Sequence, residues 1–126
     1  MVVAAGNENQ DALNSSPARL KEAITVAASD INDTKASFSN FGPAVDVWAP
    51  GLNVISTFID GKTEVLSGTS MSTPHVSGLV AYLLSLDTSL SPAQVQTTIK
   101  KTALAGVLSG VREYPSSLHR PSQIRH

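Results

Sequence analysis

The chain has 126 residues, a formal net charge of −1, an isoelectric point near 6.2 and no cysteine. That charge leaves no electrostatic footprint for nucleic acid or an anionic membrane surface, so neither is expected as a partner. Without cysteine there is no disulfide and no thiolate metal site, and no apolar stretch is long enough to predict a membrane-spanning helix.

In chain order, Met1 to Ala5 is a continuous apolar run that predicts a buried strand, and Ala23 to Ala28 predicts a second. Runs that are apolar throughout, rather than alternating, suit a parallel sheet covered by helices on both faces. Between them, the polar stretch Asp11 to Pro17 reads as a loop. Val45 to Trp48 predicts a third strand, and Val54 to Phe58 with Thr63 to Leu66 a strand pair turned by Asp60 and Gly61. From Met71 to Leu86, the residues Val76, Leu79, Val80, Leu83 and Leu84 keep the spacing of one buried helical face. A second helix, Pro92 to Thr102, opens with Ser91 as N-cap, Pro92 at the first position and Gln94 three residues after the cap. From Val111 to His126 the composition turns to arginines, prolines and serines, which predicts a disordered tail holding His119 and His126 without an apolar framework.

The chemistry concentrates between Ser67 and Val76, where a glycine-bearing turn opens the apolar helix. A hydroxyl at Ser70 would sit beside free N–H groups and the positive end of the helix dipole, which stabilise negative charge on an attacked carbonyl. On spacing alone, Ser67, Thr69, Ser70 and Ser72 are better explained as helix caps, and it is a resemblance that reverses this.

The segment Gly68-Thr69-Ser70-Met71-Ser72-Thr73-Pro74-His75 closely resembles the nucleophile segment of subtilisin-like serine proteases, the subtilase family. Val2 to Asn9 resembles the strand and turn that carry the family's oxyanion-hole asparagine. Ser37 to Gly42 and Val45 to Gly51 are similar to segments of the fungal proteinase-K-like subgroup, in the same order and spacing. The Gly-x-Ser-x-Gly elbow of the α/β hydrolases is not matched by Gly68 to Ser72.

The resemblance implies an α/β fold: a subtilisin-like three-layer structure with a mostly parallel sheet. That fold needs roughly twice this length, so the chain is expected to be an incomplete, C-terminal part of it. Residues 1–110 would form a partial catalytic domain and 111–126 a divergent tail, arising from a shifted frame, a retained intron or true divergence. The implied activity is serine endopeptidase action on polypeptide substrates through an acyl-enzyme on Ser70. Asn7 would donate to the oxyanion, and Ala4, Ala5 and Gly6 would form one wall of the pocket for the substrate's P1 side chain. The chemistry requires no cofactor; the resemblance places a structural calcium ligand at Asp46, with carbonyls near Lys21 and Ala23 completing it, the alternative being a solvated aspartate beside an apolar strand. An extracellular or vacuolar location is implied, although no signal peptide is present in the chain.

The family takes its general base from a histidine and its orienting acid from an aspartate, both upstream of the oxyanion asparagine. No such motif occurs among Asp11, Asp30, Asp33, Asp46, Asp60 and Asp87, and His75 lies five residues beyond Ser70 on the following helix, unable to face it. The chain by itself is therefore expected to be inactive, with the upstream half of the same domain as its partner. The alternative is a non-enzymatic homologue that acts by binding or as an antigen. Apolar faces left without that half are expected to make the chain poorly soluble.

Overall fold

The computed structural model describes residues 1–111 and the backbone of 122–123. The apolar runs become parallel strands: β1 (Val2–Ala4), β2 (Ile24–Ser29) and β3 (Val47–Pro50), with Val2 opposite Ile24 and Val26 opposite Val47. All of β2 is buried, which is why its sequence does not alternate. Strands β4 (Val54–Thr57) and β5 (Thr63–Leu66) form a separate antiparallel pair, turned through positive φ at Asp60 and Gly61 as the sequence predicts. Two helices follow, α1 (Thr69–Leu86) and α2 (Pro92–Thr102), the latter held by the expected capping box of Ser91 and Gln94. Strands β6 (Leu104–Ala105) and β7 (Ser122–Gln123) complete a five-stranded sheet of order β1-β2-β3-β7-β6.

Successive side chains of a strand point to opposite faces, so the sheet divides the core in two. On one face Ile24, Val26, Val47 and Ala49 pack with Val76 of α1 and with Val95 and Ile99 of α2. On the other, Ala5, Ala27, Val45 and Trp48 meet Ala12 and Ala18. The expectation of helices on both faces holds for the first alone among the described residues. The second is covered by loops and one 3₁₀ turn, Ala12–Asn14, which contributes the buried Ala12.

Two other expectations are corrected. Helix α1 begins at Thr69, two residues before the apolar periodicity, because its first turn is polar and buried by hydrogen bonds rather than by apolar packing. Pro74 consequently lies in the second turn and cannot donate to the Ser70 carbonyl. Within the tail expected to be disordered, Ser122–Gln123 is a strand, parallel to β3 and antiparallel to β6. The outer edge of β3 offers backbone donors and acceptors that any extended segment can satisfy, whatever its side chains. His119, His126 and the other residues of 112–121 and 124–126 lie outside the described residues.

Gly51 ties this frame to the segment that matters chemically. Its N–H donates to the Ser29 carbonyl at 2.9 Å and its own carbonyl accepts from the Gly68 N–H at 2.8 Å. A Cβ at Gly51 would collide with the Ser72 hydroxyl, and would come within 2.6 Å of the Ala28 Cβ and 2.9 Å of the Gly68 carbonyl. Gly51→Ala is expected to cost about 1–3 kcal/mol, the usual range for overpacking, read as a lower urea midpoint at unchanged slope.

Candidate active site

Ser70 is the second residue of α1 and is exposed, whereas Thr69 and Ser72 on either side are fully buried. Gly68 is the N-cap and makes no side-chain cap bond, so the hydroxyls do not serve as caps of this helix. Each neighbour is engaged elsewhere. Ser67 Oγ accepts from the Asn53 N–H at 2.9 Å, Ser72 Oγ donates to the Ala49 carbonyl at 2.9 Å, and Thr69 Oγ1 donates to Asn7 Oδ1 at 3.0 Å. Helix N-termini leave backbone donors without intrahelical partners, and Ser70 sits among them.

Asn7 follows β1 and faces this helix end. Its Oδ1 accepts from both the N–H of Thr69, at 2.9 Å, and the Thr69 hydroxyl. Because the Thr69 N–H can only donate, the amide oxygen must be the atom turned toward it, and Nδ2 is the atom left to project. Thr69 Oγ1 in turn accepts from the Gly6 N–H at 3.2 Å. The position a Cβ would take on Gly68 lies 3.7 Å from the Ser70 nitrogen and 3.8 Å from Asn7 Nδ2. The two nitrogens thus border space that glycine leaves open, with Met71 Sδ at 3.6 Å from the same point, and the Gly68 φ of 158° disfavours any side chain there.

The loop bearing Asn7 is held by a buried residue. Asn40 Oδ1 accepts from the N–H groups of Glu8 and Gln10, at 3.0 Å each, while its Nδ2 donates to the Ala5 carbonyl at 2.9 Å and to Glu8 Oε2 at 2.8 Å. Its backbone N–H also donates to the Gly6 carbonyl, at 2.9 Å. Neither Asn40 nor Thr69 stands out in the sequence by chemistry; both lie inside stretches that carry only the family likeness.

The other expected site residues separate. Ala5 is fully buried in the second core cluster, so its side chain cannot line a substrate pocket, while Ala4 and Gly6 are partly exposed. Strand alternation is the reason: Ala5 has the parity of Val3 and points away from α1. His75 is half-buried with Nδ1 2.9 Å from the Met71 carbonyl, directed back along its own helix. It is the one histidine among the described residues.

Asp46 is far from an open ligand. Its Oδ2 accepts from the Thr25 N–H at 2.8 Å, and its Oδ1 is 2.8 Å from the Lys100 ammonium. The Gln96 amide nitrogen lies 3.3 Å from the Lys21 carbonyl, 3.1 Å from the Ala23 carbonyl and 3.4 Å from Asp46 Oδ2. These are the oxygens that the resemblance assigns to calcium, and the Gln96 amide and the Lys100 ammonium occupy the space in front of them, so the set as arranged does not fit a divalent cation. Among the described residues no cluster of three acidic, histidine or cysteine side chains offers another metal centre.

Residues 1–120 match the model of the subtilase family. The chain is 52% identical over 118 residues to a cuticle-degrading protease of Metarhizium anisopliae, covering 90% of this chain and 30% of that protein. It is 63% identical over 86 residues to cerevisin of Saccharomyces cerevisiae, covering 67% and 14% respectively. Among solved structures, a cold-adapted subtilisin-like serine proteinase superposes with a TM-score of 0.89 at 38% identity, over 95% of this chain and 42% of that one. The chain thus spans about a third or less of the curated relatives it matches.

Proposed function

The chain belongs to the subtilase family, and from that membership we propose that it supplies the nucleophile and the oxyanion donors of a serine endopeptidase acting on polypeptides. The observation that carries the reading is that the Ser70 nitrogen and Asn7 Nδ2 both border the open space at Gly68. In the reaction, Ser70 Oγ attacks the scissile carbonyl and its proton passes to a histidine base, which returns it to the leaving amine. The carbonyl oxygen takes the negative charge where the two N–H groups meet it. Water then hydrolyses the Ser70 ester and releases the second product. The base is supplied from outside the described residues, since His75 is turned to its own helix.

That supply accounts for the apolar surface. Ile55, Val65, Tyr82 and Leu86 are each more than half exposed, on the β4-β5 pair and the outer side of α1. We assign this face to the remainder of a subtilase catalytic domain, which would also carry the base and its orienting acid. An extracellular or vacuolar location goes with this reading, and among the described residues no helix is long and apolar enough to cross a membrane.

The test is a chimera in which residues 1–120 replace the matching segment of the Metarhizium cuticle-degrading protease. The chimera should hydrolyse a peptide amide and take up a fluorophosphonate at Ser70, with both lost in Ser70→Ala. The chain alone should not label. A folded chimera that neither cleaves nor labels sinks the assignment of Ser70, and labelling of the chain alone sinks the external base.

A further inference from the structure

We infer that Gln96 and Lys100 of α2 are a built-in replacement for a metal ion, so that the loop before β2 and the start of β3 are joined without calcium. The geometry supplies the reason. Two carbonyls, Lys21 and Ala23, and the carboxylate of Asp46 converge on one spot, which is how hard-cation sites are made from backbone and one acid. What stands at that spot is an amide NH₂ facing all three oxygens. Since every partner is an acceptor, the amide must turn its nitrogen inward. One turn further along α2, the Lys100 ammonium pairs with Asp46 at 2.8 Å, with the carboxylate side chain 10% exposed and the lysine 39%. Residues four apart share one helix face, so α2 delivers both groups together.

Charge points the same way. The cavity beside this spot, about 690 Å³, is lined by Arg19, Lys21, Lys100 and Lys101, with Asp46 as its one acidic lining residue. A dication would meet a net positive wall and would have to displace an ammonium from the carboxylate it needs. Calcium affinity follows the number of anionic ligands, and here the single anion is already neutralised. The donors do the same mechanical job: they hold the Lys21–Ala23 loop and Asp46 against α2, with the Thr25 N–H fixing the second carboxylate oxygen. Unlike a metal, they cannot be removed by a chelator.

The experiment is isothermal titration of the full chain with calcium chloride, alongside thermal unfolding in calcium and in EDTA. No binding heat and the same Tm in both are expected for the wild type. Lys100→Ala frees the carboxylate oxygen and lets Gln96 present its oxygen instead; it should bind calcium and gain about 5 °C or more at saturation. Lys100→Arg keeps the cation and should remain indifferent, and circular dichroism of each variant certifies that it is folded. Calcium binding by the wild type, or a folded Lys100→Ala that does not bind, overturns the replacement. The result is independent of whether Ser70 is catalytic.

Discussion

In the active chimera, Asn7→Ala is expected to lower kcat by about 10²–10³ with KM nearly unchanged, the loss known for removal of the equivalent donor from a subtilisin. A change in kcat without KM is what loss of an interaction made only in the transition state produces. Thr69 gives this prediction its internal control. Thr69→Val keeps the shape and the backbone N–H but loses the hydroxyl that donates to Asn7 Oδ1 and accepts from Gly6. The amide is then held by one bond instead of two, and kcat should fall less than for Asn7→Ala. If Thr69 acts through Asn7, the double variant should be no slower than Asn7→Ala alone, because coupled residues are not additive. Independent multiplication of the two losses would show that the Thr69 hydroxyl acts by a route other than Asn7, such as its bond from the Gly6 N–H. An Asn7→Ala chimera as fast as the parent would remove Asn7 from the chemistry.

The largest effect on stability is expected at Ile99. It is wholly buried, the largest of the fully buried side chains, and lies among Ile24, Val26, Val47, Val76 and Val95 where α2 meets the sheet. Ile99→Ala removes three carbons from a closed space and should cost about 2–5 kcal/mol, according to how far the surroundings collapse. Urea unfolding of the chimera measures it, with Leu86→Met as a comparison that keeps the apolar character of the exposed face. Because Ile99 precedes Lys100 on α2, a loosened helix should also weaken the Asp46 ion pair. A loss below 1 kcal/mol would mean that α2 contributes little to the core.

The strand runs, the turn at Asp60 and Gly61, the helix α2 with its cap, and the nucleophile segment were legible from local order in the chain. Each rests on residues a few positions apart: unbroken apolar runs for the buried strands, a 3.6-residue period for the helices, a capping box at Ser91. Strands β6 and β7 were not legible, because two-residue strands exist through the edge they pair with and carry no pattern of their own. The inward direction of Ala5 follows from register, which depends on which face the neighbouring strand buries.

Element types, the family likeness and the candidates Ser70 and Asn7 can all be read along the chain, since they are written in short-range spacing and in residue identity. What those residues do for one another depends on how the chain folds. The fold turned Asn7 Nδ2 outward by filling its oxygen from Thr69, 62 positions away, and pinned the same loop with Asn40. It also closed the oxygen cluster at Asp46 with Gln96 and Lys100, 50 and 54 positions away. Hydrogen-bond saturation is a property of groups brought together in space, so a site can be named from a sequence, but whether its atoms remain available is settled by packing.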